Sequence, residues 1–299
     1  MQYKYITEVK NNDTVREAFN ALTRKTFGFD FSGWYAAGHW GDLYLPHVLM
    51  EDCQVISNVS VNLIQFDMGG VKKNYIQLGT VMTDEEYRGQ GLNREIMERV
   101  LQEYRGKADG IYLFGNDSVV NYYPKFGFQP SKEYEYYMPC KDLAHTEAYV
   151  MERVNMDEEE QCERLYERIR KDANSSDSLN QNDAMYMNEN LSLYQFWLGA
   201  EYGESVYYLP ETDNYVIAEL MEDTLHVLQI FGKQKVELAR LAKAFGEQVK
   251  EVVLAYTPVH KEDLLVREHK EEDSTLFILG DDLQCIEREK MMFPVLSHA

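Results

Sequence analysis

The chain has 299 residues, 44% of them hydrophobic and 27% charged, a composition that excludes a disordered protein or a coiled coil and suits two ordinary domains. Its 51 acidic residues outnumber 30 basic ones for a net charge of −21, which disfavours nucleic acid as a partner and favours cations. The N-terminus lacks the apolar core of a signal peptide, and no charge-free apolar run reaches about 18 residues, so we expect a cytoplasmic protein without a membrane partner. The four cysteines are scattered and the histidines have no partners at metal-ligand spacing, which predicts free thiols and no metal site.

Strand-like and helix-like segments alternate in the first half of the chain. Runs rich in β-branched and aromatic residues predict strands at 3–9, 54–67, 73–82, 110–114 and 132–138. Apolar residues at helical spacing predict helices at 13–27, with Asp13 or Thr14 as the N-cap, and at 92–104. The Met68-Gly69-Gly70 turn predicts a hairpin between the second and third strands. This order predicts a mixed α/β fold.

The negative charge is concentrated in the second half of the chain. Residues 1–150 carry a net charge of −5 and residues 151–299 carry −16, which favours two separate modules. We therefore predict two domains, 1–145 and 146–299.

The second half also repeats part of the element order of the first. A hairpin around Glu222-Asp223, a helix from Val236 to Phe245 and a strand at 249–256 follow one another as the corresponding elements do earlier. We interpret this order as a degenerate structural repeat. The polar stretch 173–183 before it is predicted to be a surface loop.

A glycine-containing turn joins the third predicted strand to the helix that begins near residue 92. It reads Arg88-Gly89-Gln90-Gly91, and glycines here would let the backbone approach a ligand closely. The N–H groups at the start of the helix, together with the Arg88 charge, favour an anion. A tight turn without a ligand is the alternative, and the segment is not a P-loop.

A second motif lies one strand downstream of the turn. Asn116 is followed at fixed offsets by Tyr123, Lys125 and Gly127-Phe128. The two segments together resemble the pyrophosphate motif and the following segment of the GNAT N-acetyltransferase superfamily. Asn93 departs from that pattern, which usually has Gly or Ala at this position.

The resemblance covers residues 1 to about 140 and implies the GNAT fold, in which two central strands splay apart around acetyl-CoA. Tyr123 would then be the general acid that protonates the leaving CoA thiolate. The residues that would bind acetyl-CoA are Val81, Met82, Thr83, Arg88, Gly89, Gln90, Gly91, Leu92, Asn93 and Asn116.

No general base is evident in the sequence. Some relatives place a Glu on the strand before Val81, whereas Tyr75 and Gln77 occupy that stretch here. The general base could therefore be water or a distant carboxylate. One candidate is the α-carboxylate of Ala299, if the second half packs across the cleft. The alternative for the C-terminal segment is a final strand of the second sheet.

An aromatic segment after the first helix is the candidate acceptor site. Aromatic faces and a carboxylate suit an organic ammonium ion, and the residues proposed are Trp34, Tyr35, Trp40 and Asp42. The alternative is that these aromatic side chains belong to the core.

These observations favour an acetyl-CoA-dependent N-acetyltransferase that acts on a primary amine of a small molecule or peptide by direct attack. The second half, which lacks the phosphate turn, would be non-catalytic and shape the acceptor cleft. The alternative is a non-catalytic acyl-CoA-binding sensor, which the lack of a base at Tyr75 and Gln77 favours and the intact Tyr123 disfavours. A longer acyl chain is also compatible with the sequence.

Overall fold

The computed structural model describes residues 3–141, 143–173 and 182–299, so most of the predicted loop 173–183 lies outside the described residues. The strands in these residues are β1 (Lys4–Ile6), β2 (Tyr44–Glu51), β3 (Gln54–Met68), β4 (Val71–Thr83), β5 (Gly110–Gly115), β6 (Gln129–Ser131), β7 (Glu133–Pro139), β8 (Glu152–Arg153), β9 (Tyr186–Asn188), β10 (Val206–Leu209), β11 (Asn214–Met221), β12 (Thr224–Phe231), β13 (Glu251–Leu254), β14 (Leu265–His269) and β15 (Thr275–Leu279). The α-helices are α1 (Asp13–Phe27), α2 (Ser32–Ala36), α3 (Leu92–Tyr104), α4 (Glu159–Ala173), α5 (Leu191–Trp197), α6 (Leu238–Phe245) and α7 (Cys285–Arg288). None of the described helices is both long and apolar enough to cross a membrane.

The first sheet has the strand order β1-β2-β3-β4-β5-β15-β6, with β9 added alongside β3. The predicted hairpin is present: β3 and β4 are antiparallel, and Met68 pairs with Val71 across a two-residue turn. Gly69 and Gly70 have φ angles of 64° and 90°, a conformation that favours glycine and fits the tight turn.

Helices α1 and α3 occupy the bounds that their apolar spacing predicted. The N-cap of α1 is Asn12 rather than Asp13 or Thr14, because the Asn12 side chain accepts the Val15 N–H at 3.3 Å. Both helices bury one apolar face in the first half of the chain, and α3 packs against β3 and β4.

Strand β2 was not predicted from the sequence. It lies at the end of the aromatic segment, where Pro46 and His47 interrupt the apolar run, yet nearly all of its residues are buried. Pro46 is tolerated in a strand because its neighbours make the ladder bonds to β3 around it.

The second sheet has the order β14-β7-β13-β12-β11-β10-β8. The hairpin predicted around Glu222-Asp223 joins β11 to β12, and β12 runs parallel to β13 after the α6 crossover. The hairpin, helix and strand of the second half are thus present in the predicted order.

Each sheet includes strands from the other half of the chain, and the first sheet includes two of them, β9 and β15. β7 lies in the second sheet between β13 and β14, and β15 lies in the first sheet between β5 and β6. The boundary predicted at 145/146 therefore does not separate the two sheets, and the division into domains 1–145 and 146–299 stays a prediction. After β15, the C-terminal segment returns to the first sheet, where the Phe293 ring stacks on Tyr112 of β5 at 3.8 Å.

Glu133, at the start of β7, is a buried carboxyl that accepts the Phe293 N–H at 2.7 Å. Burial raises the pKa of Glu133 to about 7, although the neighbouring His269 opposes this in part. A raised pKa in the folded state stabilises the fold below the unfolded pKa of about 4.5, and that stability is lost as the pH rises towards 7. Gln at this position keeps the acceptor oxygen but cannot ionise. We therefore expect the difference in free energy of unfolding between Glu133→Gln and wild type to increase by about 1–3 kcal/mol in favour of the variant from pH 5 to pH 8.

Chemical denaturation at the two pH values measures this difference, with the exposed Glu152→Gln in β8 as the control. A variant with the same pH dependence as wild type would contradict the assignment.

Candidate active site

The central parallel strands of the first sheet separate after a short pairing. β4 and β5 pair only from Tyr75 to Gln77 on one side and from Gly110 to Tyr112 on the other. β4 continues to Thr83 without a partner on its β5 side, which leaves backbone groups along this edge free to bind a ligand.

A bulge at Thr80 lies on the part of β4 just beyond its pairing with β5. The register between β3 and β4 shifts here, and Thr80 has a φ angle of 47°, in the left-handed region. The Asn58 side chain on β3 donates through Nδ2 to the Thr80 carbonyl at 2.8 Å and so stabilises this strained residue.

The Arg88–Gly91 turn presents a row of unpaired backbone N–H groups. Those of residues 89–94 have no hydrogen-bond partner within the described part of the chain, and no side chain caps α3. Gly89 and Gly91 have φ angles of 78° and 80°, and a methyl group at either would meet no atom within 4 Å. The N-terminus of α3 thus faces open space with free donors, as an anion site requires.

Two side chains of this turn have distinct roles. Arg88 is 61% exposed, donates through Nε to the Thr83 carbonyl at 3.3 Å and lies near Glu85, so its guanidinium is free to turn towards a ligand. Asn93 instead faces inward and donates through Nδ2 to the Asn58 carbonyl at 3.2 Å. This departure from Gly or Ala fixes α3 to β3 and leaves the N–H row open.

The remaining residues predicted to bind the cofactor differ in whether their side chains or only their backbone groups are accessible to a ligand. Met82 and Leu92 point their side chains into the core, so only their backbones are available to a ligand. Val81 and Thr83 are partly exposed on the unpaired edge, and Gln90 accepts a hydrogen bond from the Tyr3 hydroxyl at 3.0 Å.

Asn116 and Tyr123 lie just beyond the end of β5. Asn116 is exposed, and Tyr123 begins the short 3-10 helix Tyr123–Phe126. The Tyr123 ring lies across Gly115, where any Cβ would collide with it, and packs against Phe277 of β15. Its hydroxyl has no hydrogen-bond partner among the described residues, and burial raises its pKa well above the usual value.

The neighbouring Tyr122 is also tied to the turn. Its hydroxyl donates to Asn93 Oδ1 at 2.9 Å, and burial raises its pKa to about 12. Tyr122 therefore supports the start of α3, whereas Tyr123 lies against the end of β5, one of the two separated strands.

An aromatic cavity of about 280 Å³ opens beside the bulge in β4. Both halves of the chain contribute to it, and its lining residues are Phe27, Phe29, Phe31, Trp34, Tyr44, Thr80, Leu193, Phe196, Trp197, His298 and Ala299.

Of the four predicted acceptor residues, only Trp34 lines this cavity. Trp40 is buried behind it and stacks on Trp34 at 5.4 Å, so the core alternative holds for Trp40. Tyr35 is partly exposed with its ring over the Arg16 guanidinium, and Asp42 is an exposed partner of Lys10. Tyr35, Trp40 and Asp42 therefore do not line this cavity, and their assignment to the acceptor site stays a prediction.

The C-terminal residues lie between the separated strands. The Ala299 carboxyl carbon and oxygen lie so close to Gly79 of β4 that a Cβ at Gly79 would collide with them. The His298 ring stacks on Phe114 of β5 at 4.0 Å, and burial lowers the pKa of His298 to about 3. The Tyr75 ring packs against Phe293 of the C-terminal segment, and its hydroxyl donates to Asp282 at 2.5 Å.

At the corresponding turn of the second half, side chains of the protein accept three backbone N–H groups. The Gly232 N–H donates to Asp172, the Val236 N–H to Asn182 and the Glu237 N–H to the Tyr149 hydroxyl, at 2.6, 3.1 and 3.1 Å. The protein therefore satisfies three N–H groups at this junction, whereas it satisfies none of those of residues 89–94 within the described part of the chain.

Comparison with known proteins decides the family. The family model of the acetyltransferase (GNAT) domain matches residues 10–131. Residues 10–131 belong to the GNAT acetyltransferase family. No curated protein sequence matches the chain significantly.

The likeness in fold extends over nearly the whole chain. A probable N-acyltransferase from Enterococcus faecalis V583 aligns over 95% of this chain and 74% of its own, with 15% identity and a TM-score of 0.59. A GCN5-related N-acetyltransferase from Kribbella flavida aligns over 94% and 72%, with 15% identity and a TM-score of 0.56. Eis1 from Mycobacterium abscessus aligns over 92% and 73%, with 12% identity and a TM-score of 0.54. The predicted GNAT fold with a second GNAT-like half is confirmed.

The sequence missed the residues that the second half brings to the cavity. Phe196 and Trp197 lie about 160 residues from Trp34 along the chain, and His298 lies about 260 residues away. The cluster of Phe, Trp and Leu in 191–198 is an available signal, but it does not say which face of the first half it covers.

The unpaired N–H row predicts that the turn binds the pyrophosphate of acetyl-CoA. Arg88→Ala removes one charge-assisted contact from an exposed position, so we expect binding to weaken by about 1.5 kcal/mol. Gly91→Val forces a β-branched residue to a positive φ angle and should weaken binding as well. Titration calorimetry with acetyl-CoA measures both effects.

The matched control is Arg99→Ala, which removes an exposed arginine paired with Glu95 further along α3. Unchanged affinity in both turn variants would refute the assignment.

Proposed function

We propose that the chain is an acetyl-CoA-dependent N-acetyltransferase that acts on a primary amine. The observation that carries the proposal is that the separated strands connect two sites: the N–H row of the turn on one side and the aromatic cavity on the other. Thr80, on the unpaired part of β4, lines the cavity and lies in the same strand as the residues leading to the turn. A thioester placed along that edge would meet an amine seated in the cavity.

The residues present fit acetyl-CoA. The N–H groups of residues 89–94 and the Arg88 guanidinium would hold the pyrophosphate, and the free edge of β4 would pair with the amide groups of the pantetheine arm. Acetyl-CoA supplies the activated acyl group as its thioester.

In the proposed reaction the amine nitrogen attacks the thioester carbonyl, so that a C–N bond forms and the C–S bond breaks. The ammonium proton is taken by the Ala299 carboxylate, and the sulfur leaves as a thiolate that Tyr123 protonates. Because burial raises the pKa of Tyr123, the phenol holds its proton at neutral pH and remains a donor.

The second half would act as a wall of the acceptor site. Leu193, Phe196 and Trp197 line the cavity, and Trp197 donates its indole N–H to the His298 carbonyl at 2.9 Å, which helps hold the C-terminal residues in place. The N–H groups that the protein accepts at the junction near Gly232 support a second half without its own cofactor site.

Release of free CoA with a panel of amines, with the products identified by mass spectrometry, tests the function. Turnover with an amine supports the transferase. Acetyl-CoA binding without acetylation of any amine would favour a non-catalytic acyl-CoA-binding module instead.

Tyr123→Phe removes only the hydroxyl that would protonate the thiolate. We expect kcat to fall by about 10²–10⁴ with the acetyl-CoA dissociation constant unchanged, which is the usual contribution of general acid catalysis.

Tyr122→Phe is the matched comparison, because its hydroxyl contacts Asn93 rather than the split. Tyr122→Phe should chiefly raise KM for acetyl-CoA. If Tyr122→Phe lost turnover and Tyr123→Phe kept it, the acid would be Tyr122.

Extending the chain by one glycine after Ala299 moves the free carboxylate away from Gly79. With Ala299 as the base, we expect turnover at neutral pH to fall at least 10-fold while acetyl-CoA affinity is retained. Steady-state kinetics and calorimetry separate the two effects. This change is cleaner than deleting Ser297–Ala299, because Ser297 is buried and His298 packs on Phe114. An extended chain with full activity would exclude the Ala299 carboxylate.

A further inference from the structure

We propose that the acceptor is a primary amine carried by an apolar, aromatic body, and not a polyamine or an amino sugar. This inference rests on the proposed function, because it names the acceptor class of the same site. It arises from the chemistry of the cavity walls.

The polar side-chain groups of Trp34, Trp197 and Tyr44 are already satisfied by the protein, whereas Nε2 of the buried His298 has no hydrogen-bond partner among the described residues. Trp34 donates its indole N–H to the Ser192 carbonyl at 2.9 Å, and Trp197 donates to His298. The Tyr44 hydroxyl bonds to the Thr80 hydroxyl. Among the described residues that line the cavity, none has an acidic side chain. Hydroxyl groups or a second ammonium ion would therefore lose their hydration here without a partner.

The polar atoms are gathered at one end of the cavity. Thr80, His298 and Ala299 form this end, beside the separated strands where the thioester would lie. Because burial keeps His298 neutral at pH 7, its ring does not repel an ammonium ion. One polar end and apolar walls match a molecule with one amine and one apolar body.

Two exposed aromatic side chains also line the cavity. Phe27 and Phe29, with 46% and 44% of their surface exposed, line the cavity and remain open to solvent. Exposed large aromatic side chains beside a cavity are typical of a binding mouth. The volume of about 280 Å³ lies just below the usual range of about 300–1,000 Å³ for ligand pockets, so the body is small, of the size of one ring with a short chain.

The probes that separate the classes are 2-phenylethylamine and spermidine. We expect 2-phenylethylamine to be acetylated with a kcat/KM at least ten-fold above that of spermidine. Binding is followed independently of turnover by intrinsic fluorescence. All three tryptophans report on this site, since Trp34 and Trp197 line the cavity and Trp40 stacks on Trp34.

Two exposed aromatic residues of the same region provide matched variants. Phe29→Ala removes a wall at the mouth and should raise KM for 2-phenylethylamine about five- to ten-fold, in the range of an aromatic contact, with kcat retained. Tyr35→Ala removes a ring that lies outside the cavity, over Arg16, and should leave KM unchanged.

The outcomes distinguish this inference from the proposed function. Binding and acetylation of 2-phenylethylamine support both. Binding seen by fluorescence without acetylation of any amine supports the cavity assignment and refutes the transferase. Efficient acetylation of spermidine with little of 2-phenylethylamine supports the transferase and overturns the acceptor class. Absence of 2-phenylethylamine binding, or a raised KM in Tyr35→Ala but not in Phe29→Ala, also overturns it.

Discussion

The parallel pairing of β4 with β5 lasts for only three residues, and the arrangement of the site follows from where it ends. Beyond Gln77, β4 keeps its antiparallel partner β3, so the strand remains rigid while its other edge is open. The Asn58 amide holds the bulge at Thr80, where a residue other than glycine has a positive φ angle. A continuous β4–β5 ladder would have closed both the edge and the place where Ala299 lies.

The exchange of β7 and β15 makes the two halves structurally dependent on each other. β15 pairs with β5 on the side away from β4, so the second half helps to hold one of the two separated strands. The segment after β15 then stacks Phe293 on Tyr112 and His298 on Phe114, two residues of β5 that are two positions apart and therefore face the same side. The position of the C-terminal residues is thus set by packing on the strand that borders the split.

Local sequence patterns were sufficient where the structure is itself local. Helix α1, the β3–β4 hairpin and the Gly89–Gly91 turn depend on neighbouring residues, and each was predicted close to its observed place. The cavity was only partly predicted, since Trp34 and Trp40 have the same chemistry and differ only in which one the fold buries behind the other. The strand exchange and the position of Trp197 in the cavity wall depend on contacts between distant parts of the chain, which no sequence periodicity encodes.

The two related junctions in the chain show why similar element order does not give similar function. In both halves a strand leads through a turn into a helix, and a parallel strand follows. In the second half, side chains of Asp172, Asn182 and Tyr149 accept the N–H groups of the turn. In the first half the N–H groups of residues 89–94 have no such acceptors within the described residues, and the Asn93 side chain is directed towards β3. Because buried or converging donors need acceptors, the first turn leaves its N–H groups available to a ligand, whereas the protein itself accepts three N–H groups of the second.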